Sequence, residues 1–363
     1  MKMSILKRKR ITETIKVKEI YARSARKNTL FILVLLAATI AFAIVATSIG
    51  AASLGVGESL RAVLSRFFFV QGVSHFAQVV VLQLRLPRIL MAIITGVSLG
   101  VAGAVMQGVL RNPLVSPYTL GLSSGAACGA ALAIVLGVGI FGFGQYLIVT
   151  NAFFFGLMTM FLVYSISRIR GTSIETLILA GVALGYLFSA IISSLKYLSG
   201  HEELRELVFW LMGGLYAVKW QTIIILFPAM TIFTLLSMTY SWDLNAMSAG
   251  EEVAASLGIN VKKVRGICLI LSSILTASVI AFTGIIGFIG LVSPHICRLI
   301  VGSDHRFLIP SSGLMGAIIL LVSDTACRTI IQPTEIPVGI MTSFIGVPFF
   351  IYLLMKKRRR WWQ

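Results

Sequence analysis

Apolar residues gather along this chain into long blocks separated by short polar segments, and ten such blocks can be counted. They run roughly over Leu30–Ile49, Ile89–Leu110, Thr119–Gly137, Tyr146–Ile166, Thr176–Leu195, Trp220–Tyr240, Gly266–Phe282, Ile285–Ile300, Ser311–Arg328 and Ile336–Met355. A helix needs about 20 apolar residues to cross a hydrocarbon core about 30 Å thick. The pattern predicts an all-α integral membrane protein with ten spans. The eighth block is short and contains Pro294. It reads as a half-helix enclosed by protein, where broken backbone is tolerated at membrane depth.

One polar interruption differs from the rest. Gly250–Ile259 is a run of small and polar residues between the sixth and seventh blocks. Glu251 and Glu252 open it, where a helix N-terminus favours negative charge. Val253, Leu257 and Ala254 are expected on one face, and Gly258 ends the helix. A membrane bundle has little reason to carry such a helix unless a soluble partner docks there. The plainer reading is a solvated loop with a helical turn.

The chain has 363 residues, 57% hydrophobic and 12% charged, with a formal net charge of +18. The positive excess does not describe a nucleic-acid-binding face, because the basic residues sit at helix ends and termini. With the N-terminus inside, only Arg61, Arg66, Arg85, Arg88, Lys196, Arg205, Lys219 and Arg328 fall outside. The other 23 of the 31 basic residues fall inside, among them ten in residues 1–29, Arg168, Arg170 and the five of Lys356–Arg360. This asymmetry places both termini in the cytoplasm. Residues 1–29 read as a retained, partly helical extension that touches anionic lipid, since no signal-cleavage pattern follows. Residues 30–355 are the membrane domain and 356–363 a basic cytoplasmic tail.

Few residues look chemical. The four cysteines, Cys128, Cys268, Cys297 and Cys327, lie in apolar blocks without paired spacing, which predicts buried small hydrophobes. His295, without partner ligands, reads as a hydrogen-bonded helix-end residue and not a metal site. Asp324 is the acidic residue well inside a block, a functional candidate by default, and Arg328 one turn later makes a structural pair. Glycines at 96 and 100, at 121, 125 and 129, and at 181 and 185 recur every four residues, which lets helix backbones approach in lipid.

Several segments are more specific than hydropathy: Arg85-Leu86-Pro87-Arg88, Gln107 with Arg111-Asn112-Pro113-Leu114, Trp210-Leu211-Met212-Gly213-Gly214, Leu244-Asn245 ahead of Gly250-Glu251, Gly287-Phe288-Ile289-Gly290-Leu291-Val292-Ser293-Pro294-His295, Asp304-His305-Arg306, Asp324 with Arg328, and Glu335-Ile336-Pro337-Val338-Gly339. In this order they resemble the permease subunit of iron-chelate and cobalamin ABC importers, the FecCD type, from about residue 30 to 355. The resemblance implies a ten-helix subunit in the cell membrane that pairs with a second permease, identical or similar. Two ATPase subunits bind below, and an extracytoplasmic binding protein delivers a metal chelate, foremost a ferric siderophore, with cobalamin or haem as alternatives. It implies no enzyme activity or cofactor in this chain, ATP and Mg being held by the ATPase.

Residue by residue, the resemblance makes the segment about 246–259 the coupling helix, with Gly250, Glu251, Glu252, Ala254, Leu257 and Gly258 as its ATPase contact. Met247 and Ala249 stand where leucines are common, and Tyr118 where an acidic residue is common. The outer Arg85, Arg88 and Arg328 resemble arginines that meet acidic residues of the binding protein, a role that suits a bidentate guanidinium. Interfacial snorkelling for Arg85 and Arg88, and the Asp324 pair for Arg328, are the alternatives. Arg111, Asn112 and Pro113 form an inner turn, because Pro113 turns Asn112 away from helix. With Ser173, Ile174 and Glu175 they mark an inner gate or a plain connection. An ion-coupled transporter would need several intramembrane ionisable groups. An intramembrane enzyme would need a Ser–His, paired-Asp or H-E-x-x-H constellation, and neither pattern is present.

Overall fold

A single helix of 47 residues, α1 (Lys2–Ser48), carries the basic extension into the first span without a break. The computed structural model describes residues 2–50, 52, 54–66, 72–140, 146–169, 173–216, 218–332 and 334–355. Arg170 and the tail 356–363 lie outside the described residues. Two short helices, α2 (Val56–Leu64) and α3 (His75–Gln78), fill the first outer connection. α3 runs on through a π-helical stretch, Val79–Arg85, into α4 (Leu86–Val109).

The π stretch follows from Pro87, which has no N–H to donate one turn back. The wider winding sends the Leu86 N–H to Val81 O. That leaves Leu82 O, the usual acceptor, open, and the Trp220 indole N–H fills it at 2.9 Å.

α5 (Leu122–Leu136), α6 (Leu147–Ile169) and α7 (Ile174–Leu198) follow. α8 (His201–Met212) is a helix in the outer connection that the residue pattern leaves as a loop. α9 (Trp220–Thr239) returns to the cytoplasmic side. There α10 (Ser241–Ala249) and α11 (Glu251–Ser256) form the long inner connection. α12 (Val261–Thr283), α13 (Ile289–Val301), α14 (His305–Cys327) and α15 (Val338–Met355) complete the chain.

Seven helical stretches are long and apolar enough to cross a membrane, and α5, α13 and residues 338–352 of α15 are shorter apolar helices. Together they match the ten blocks of the sequence. α13 spans 13 residues, about 20 Å at 1.5 Å per residue, and is mostly buried, as a half-helix should be. His295 lies in its middle and not at its end, edge-on to Phe349 at 6.1 Å between ring centroids.

α4 is the central post, packed against α12, α13 and α14. The glycine stripes serve this packing: a Cβ on Gly100 would stand 2.2 Å from Ser312 O of α14. All four cysteines are buried thiols.

Candidate functional site

At the cytoplasmic face the inner connection is two helices with a sharp joint, not one. Gly250 has φ 137° and ψ 146°, a conformation that only glycine takes without strain. α10 is fixed from above. Leu244 and Met247 are fully buried in the main core. Asn245 Nδ2 donates to Asp304 Oδ1 at 2.8 Å, and its Oδ1 accepts from the His305 backbone N–H at 2.8 Å. Met247, which replaces a common leucine, therefore faces this chain's own core and not a partner.

α11 divides its apolar residues between two directions. Val253 and Leu257 are 46% and 67% exposed, whereas Ala254 is 0% exposed in the membrane core. The expectation that all three share a face is corrected for Ala254. Residues four apart share a stripe, but the next residue turns about 100° away, and a helix this short needs one residue as an anchor. Glu251 is paired with Arg265 of α12 at 2.5 Å, so one end of α11 is braced while Glu252 stays exposed. Gly258, at φ 84°, makes the exit turn, and Asn260 caps α12 by accepting from Lys263 N at 3.1 Å.

The expected inner gate falls into two places. Ser173 caps α7, accepting from Thr176 N at 3.2 Å. With Ile174 and Glu175 it lines a hollow of about 680 Å³ whose other wall is Glu251, Glu252 and Lys262. Arg111, Asn112 and Pro113 do not line that hollow. They form a tight turn in which Arg111 takes a left-handed φ of 46° and Asn112 Oδ1 accepts from Leu114 N at 2.9 Å.

At the outer face the three arginines expected to meet a soluble partner are buried. Arg88 Nε lies 2.8 Å from Asp324 Oδ1, and its Nη1 lies 2.6 Å from Glu335 Oε2. Arg328 Nε lies 3.1 Å from Asp324 Oδ2, so the expected pair is present but is half of a triad. Arg328 Nη1 also donates to Ile49 O at 3.2 Å, and Arg85 donates to Thr47 O at 2.7 Å and to Ala52 O. α1 ends at Ser48, and the last carbonyls of a helix lack backbone partners. Arg85 and Arg328 cap that end, so neither sets its charge at the surface. The exposed charge of the cluster is Glu335, whose side chain is 43% exposed.

Glu335 and Arg88 border an outer hollow of about 540 Å³, with Glu202, Arg205 and Phe209 of α8 on its rim. Beside it, next to the lining residues Gly214 and Val338, three chain segments meet that have no evident connection along the chain. Gly214 N donates to Thr283 O at 2.8 Å and Gly339 N to Gly213 O at 3.3 Å. A Cβ on Gly284 would stand 2.1 Å from Trp210 O, and one on Gly339 2.2 Å from Met212 O. Tyr118 closes the same region by donating its hydroxyl to Ile286 O at 2.5 Å. An ionised carboxylate there could only accept. α8 was the feature missed in sequence. Its signal was present in Glu202 and Glu203 at a helix start, followed by Leu204, Leu207, Val208 and Leu211 at helical spacing.

The inner network extends past α10. Arg306 chelates Asp304 and donates to the Tyr21 hydroxyl of α1, while its guanidinium lies 4.1 Å from the Trp242 ring centre. Burial alone would push the Asp304 carboxyl up, but hydrogen bonds from Arg306 and Asn245 outweigh it and hold the group below the usual carboxylate range. Among the described residues no group of three or more His, Cys, Asp or Glu is placed to hold a metal ion.

Comparison with known proteins adds three findings. The family model described as the FecCD transport family matches residues 35–356. An ABC transporter permease protein of Methanocaldococcus jannaschii is 41% identical over 352 residues, covering 94% of this chain and 98% of the relative. The cobalamin import system permease of Halobacterium salinarum is 42% identical over 291 residues, covering 80% of this chain and 77% of the relative. Among solved structures, an inward-facing metal-chelate-type ABC transporter superposes with a TM-score of 0.79 at 36% identity, covering 90% of this chain and 98% of that one.

Proposed function

We propose, for a chain that belongs to the FecCD transport family and is thus an ABC importer permease of the cell membrane, that its cargo is a ferric siderophore handed over by an extracytoplasmic binding protein. Two copies of this chain, or this chain and a similar one, enclose the path. An ATPase subunit docks on each α10–α11 pair and holds the ATP and Mg. The observation that carries this reading is α11 itself: Val253 and Leu257 stand out from a helix braced by Ala254 and the Glu251–Arg265 pair. A stiff element with an exposed apolar stripe can convert the motion of a soluble partner into helix tilting, which a loose loop cannot. The hollow shared by Glu251 and Ser173–Glu175 couples that element to the start of α7, where the inner gate is expected.

The binding protein is proposed to settle on the outer hollow, through the exposed Glu335 and the α8 rim and not through the buried arginines. Cobalamin is the second reading for the cargo, favoured by the 42% identity to a cobalamin import permease. The test is reconstitution with the ATPase and binding protein in liposomes. Uptake of a radiolabelled ferric siderophore that depends on ATP is expected. Cobalamin uptake without siderophore uptake would select the second reading. Uptake driven by a proton or sodium gradient without ATP would end both.

A further inference from the structure

The three buried outer arginines border a second hollow, of about 280 Å³, that has no part in the proposed function. We propose that it is an anion site for a phosphate group at the outer membrane surface, foremost the headgroup phosphate of a phospholipid. Such a site needs neither the cargo nor the ATPase.

Charge comes first. Arg85, Arg88 and Arg328 all line the hollow, and they share two carboxylates, Asp324 and Glu335. Both carboxylates are spent on Arg88 and Arg328. Arg85 is 5% exposed, and no ion pair joins it to a carboxylate among the described residues. The outer connection 49–74 holds one acid, Glu58, which accepts from Ser74 Oγ at 3.0 Å. A charge taken out of water needs a partner, because desolvation is otherwise uncompensated. The end of α1 offers Arg85 two carbonyls and about half an elementary charge of helix dipole. An anion in the hollow supplies the rest.

The donors are in place. A guanidinium carries five N–H groups. Arg85 spends two on Thr47 O and Ala52 O, and Arg88 spends two on Asp324 and Glu335. The remaining N–H groups of both have no acceptor among the described residues, and planar, forked donors match the oxygens of a phosphate. Gly50, which also lines the hollow, keeps the approach open. A Cβ there would stand 3.0 Å from Arg85 Nη2.

The opposite wall suits a lipid. Phe76, Val80 and Leu84 line the hollow from the first turns of His75–Val109, a stretch apolar and long enough to span the membrane. Phe76 and Leu84 are 61% and 62% exposed, so they meet acyl chains at this level. A cationic floor beside an apolar wall matches a headgroup and the start of its chain, and basic pockets between membrane helices hold anionic headgroups. The volume is below the about 300–1,000 Å³ of sites for whole small molecules, which leaves room for a headgroup and not for a metal chelate.

The test melts the full chain, washed free of lipid in a neutral detergent, with three probes. These are dioctanoyl phosphatidylglycerol, dioctanoylglycerol, which has the chains without the phosphate, and inorganic phosphate. Phosphatidylglycerol should raise the melting temperature saturably, since a ligand of the native state stabilises it by mass action, and dioctanoylglycerol should not. Inorganic phosphate acting equally at the same concentration would make free phosphate the source. A response to it only at far higher concentration makes the lipid the source. Arg85→Gln should raise the half-saturating concentration at least about tenfold, the loss of a hydrogen bond or two to a charged group. Arg85 also caps α1, so a second variant leaves all three arginines in place. Phe76→Glu changes an exposed side chain and gives the hollow a carboxylate of its own. It should fold as wild type does and lose the response, whereas Phe76→Gln, without the charge, keeps it. No response in wild type, a response unchanged in both Arg85→Gln and Phe76→Glu, or an equal response to dioctanoylglycerol overturns the site. So does a Phe76→Glu variant that loses the binding protein while wild type ignores phosphatidylglycerol, which would assign the arginines to an acidic protein partner.

Discussion

Arg88 and Glu335 meet at 2.6 Å across 247 residues of chain, and the same guanidinium holds Asp324 at 2.8 Å. The start of α4, the end of α14 and the last outer connection are thereby tied at one point. Asp324 is fully buried between Arg88 and Arg328, whereas Glu335 is partly open to the outer hollow.

That asymmetry predicts unequal costs. Asp324→Asn leaves two buried guanidinium groups short of their shared counter-charge and should destabilise the protein by about 3–5 kcal/mol. Glu335→Gln breaks a partly solvated pair and should cost about 1 kcal/mol or less. Thermal unfolding in detergent measures both, and equal losses would contradict the burial difference.

On α11 neighbouring residues should separate docking from folding. Glu251→Gln with Leu257→Ala should weaken ATPase attachment while expression stays near wild type and stability falls by about 1 kcal/mol or less, the cost of the partly solvated Glu251–Arg265 pair. Ala254→Leu overfills a closed core position and should cost about 1–3 kcal/mol of stability. Full ATPase stoichiometry and uptake in the Glu251/Leu257 variant would show that the partner does not seat there.

Asp304 should make the inner network sensitive to acid. Its folded carboxyl titrates below the ordinary range, so its contribution is complete above that range and is lost as pH falls through the folded value. Asp304→Asn should melt earlier than wild type at neutral pH, with the gap closing only on the acid side of the usual carboxylate pKa. A gap that closes instead between neutral and alkaline pH would contradict the assignment.

The close glycine contacts beside the outer hollow offer a paired test. Gly339→Ala places a methyl group 2.2 Å from Met212 O, and the backbone there cannot move aside without breaking the Gly339–Gly213 hydrogen bond. Low yield or lost uptake is expected. Gly287→Ala meets nothing within 4 Å and should behave as wild type. Equal behaviour of the two variants would remove the close approach as the reason for the motif.

Much of this protein was determined by local sequence. Ten apolar blocks produced ten apolar helices because helical length against membrane thickness is a property of each segment alone. Pro294 in a short block marked the half-helix α13, and Gly250 and Gly258 marked the ends of α11, because backbone restrictions act at single residues. The pair of Asp324 with Arg328 was legible since four residues make one turn.

Tertiary structure alone decided the rest. No spacing joins Arg88 to Glu335, and only packing turns Arg85 inward to cap α1 instead of outward to a partner. Ala254 and Leu257 look alike in a short apolar pattern, and which of them is anchored depends on the neighbouring helices. Gly213 and Gly339 stand in conspicuous motifs along the chain and Gly284 in none, and local sequence gives none of the three an evident purpose. Their shared reason is three backbones meeting closer than any Cβ allows, and that distance exists only after the helices pack.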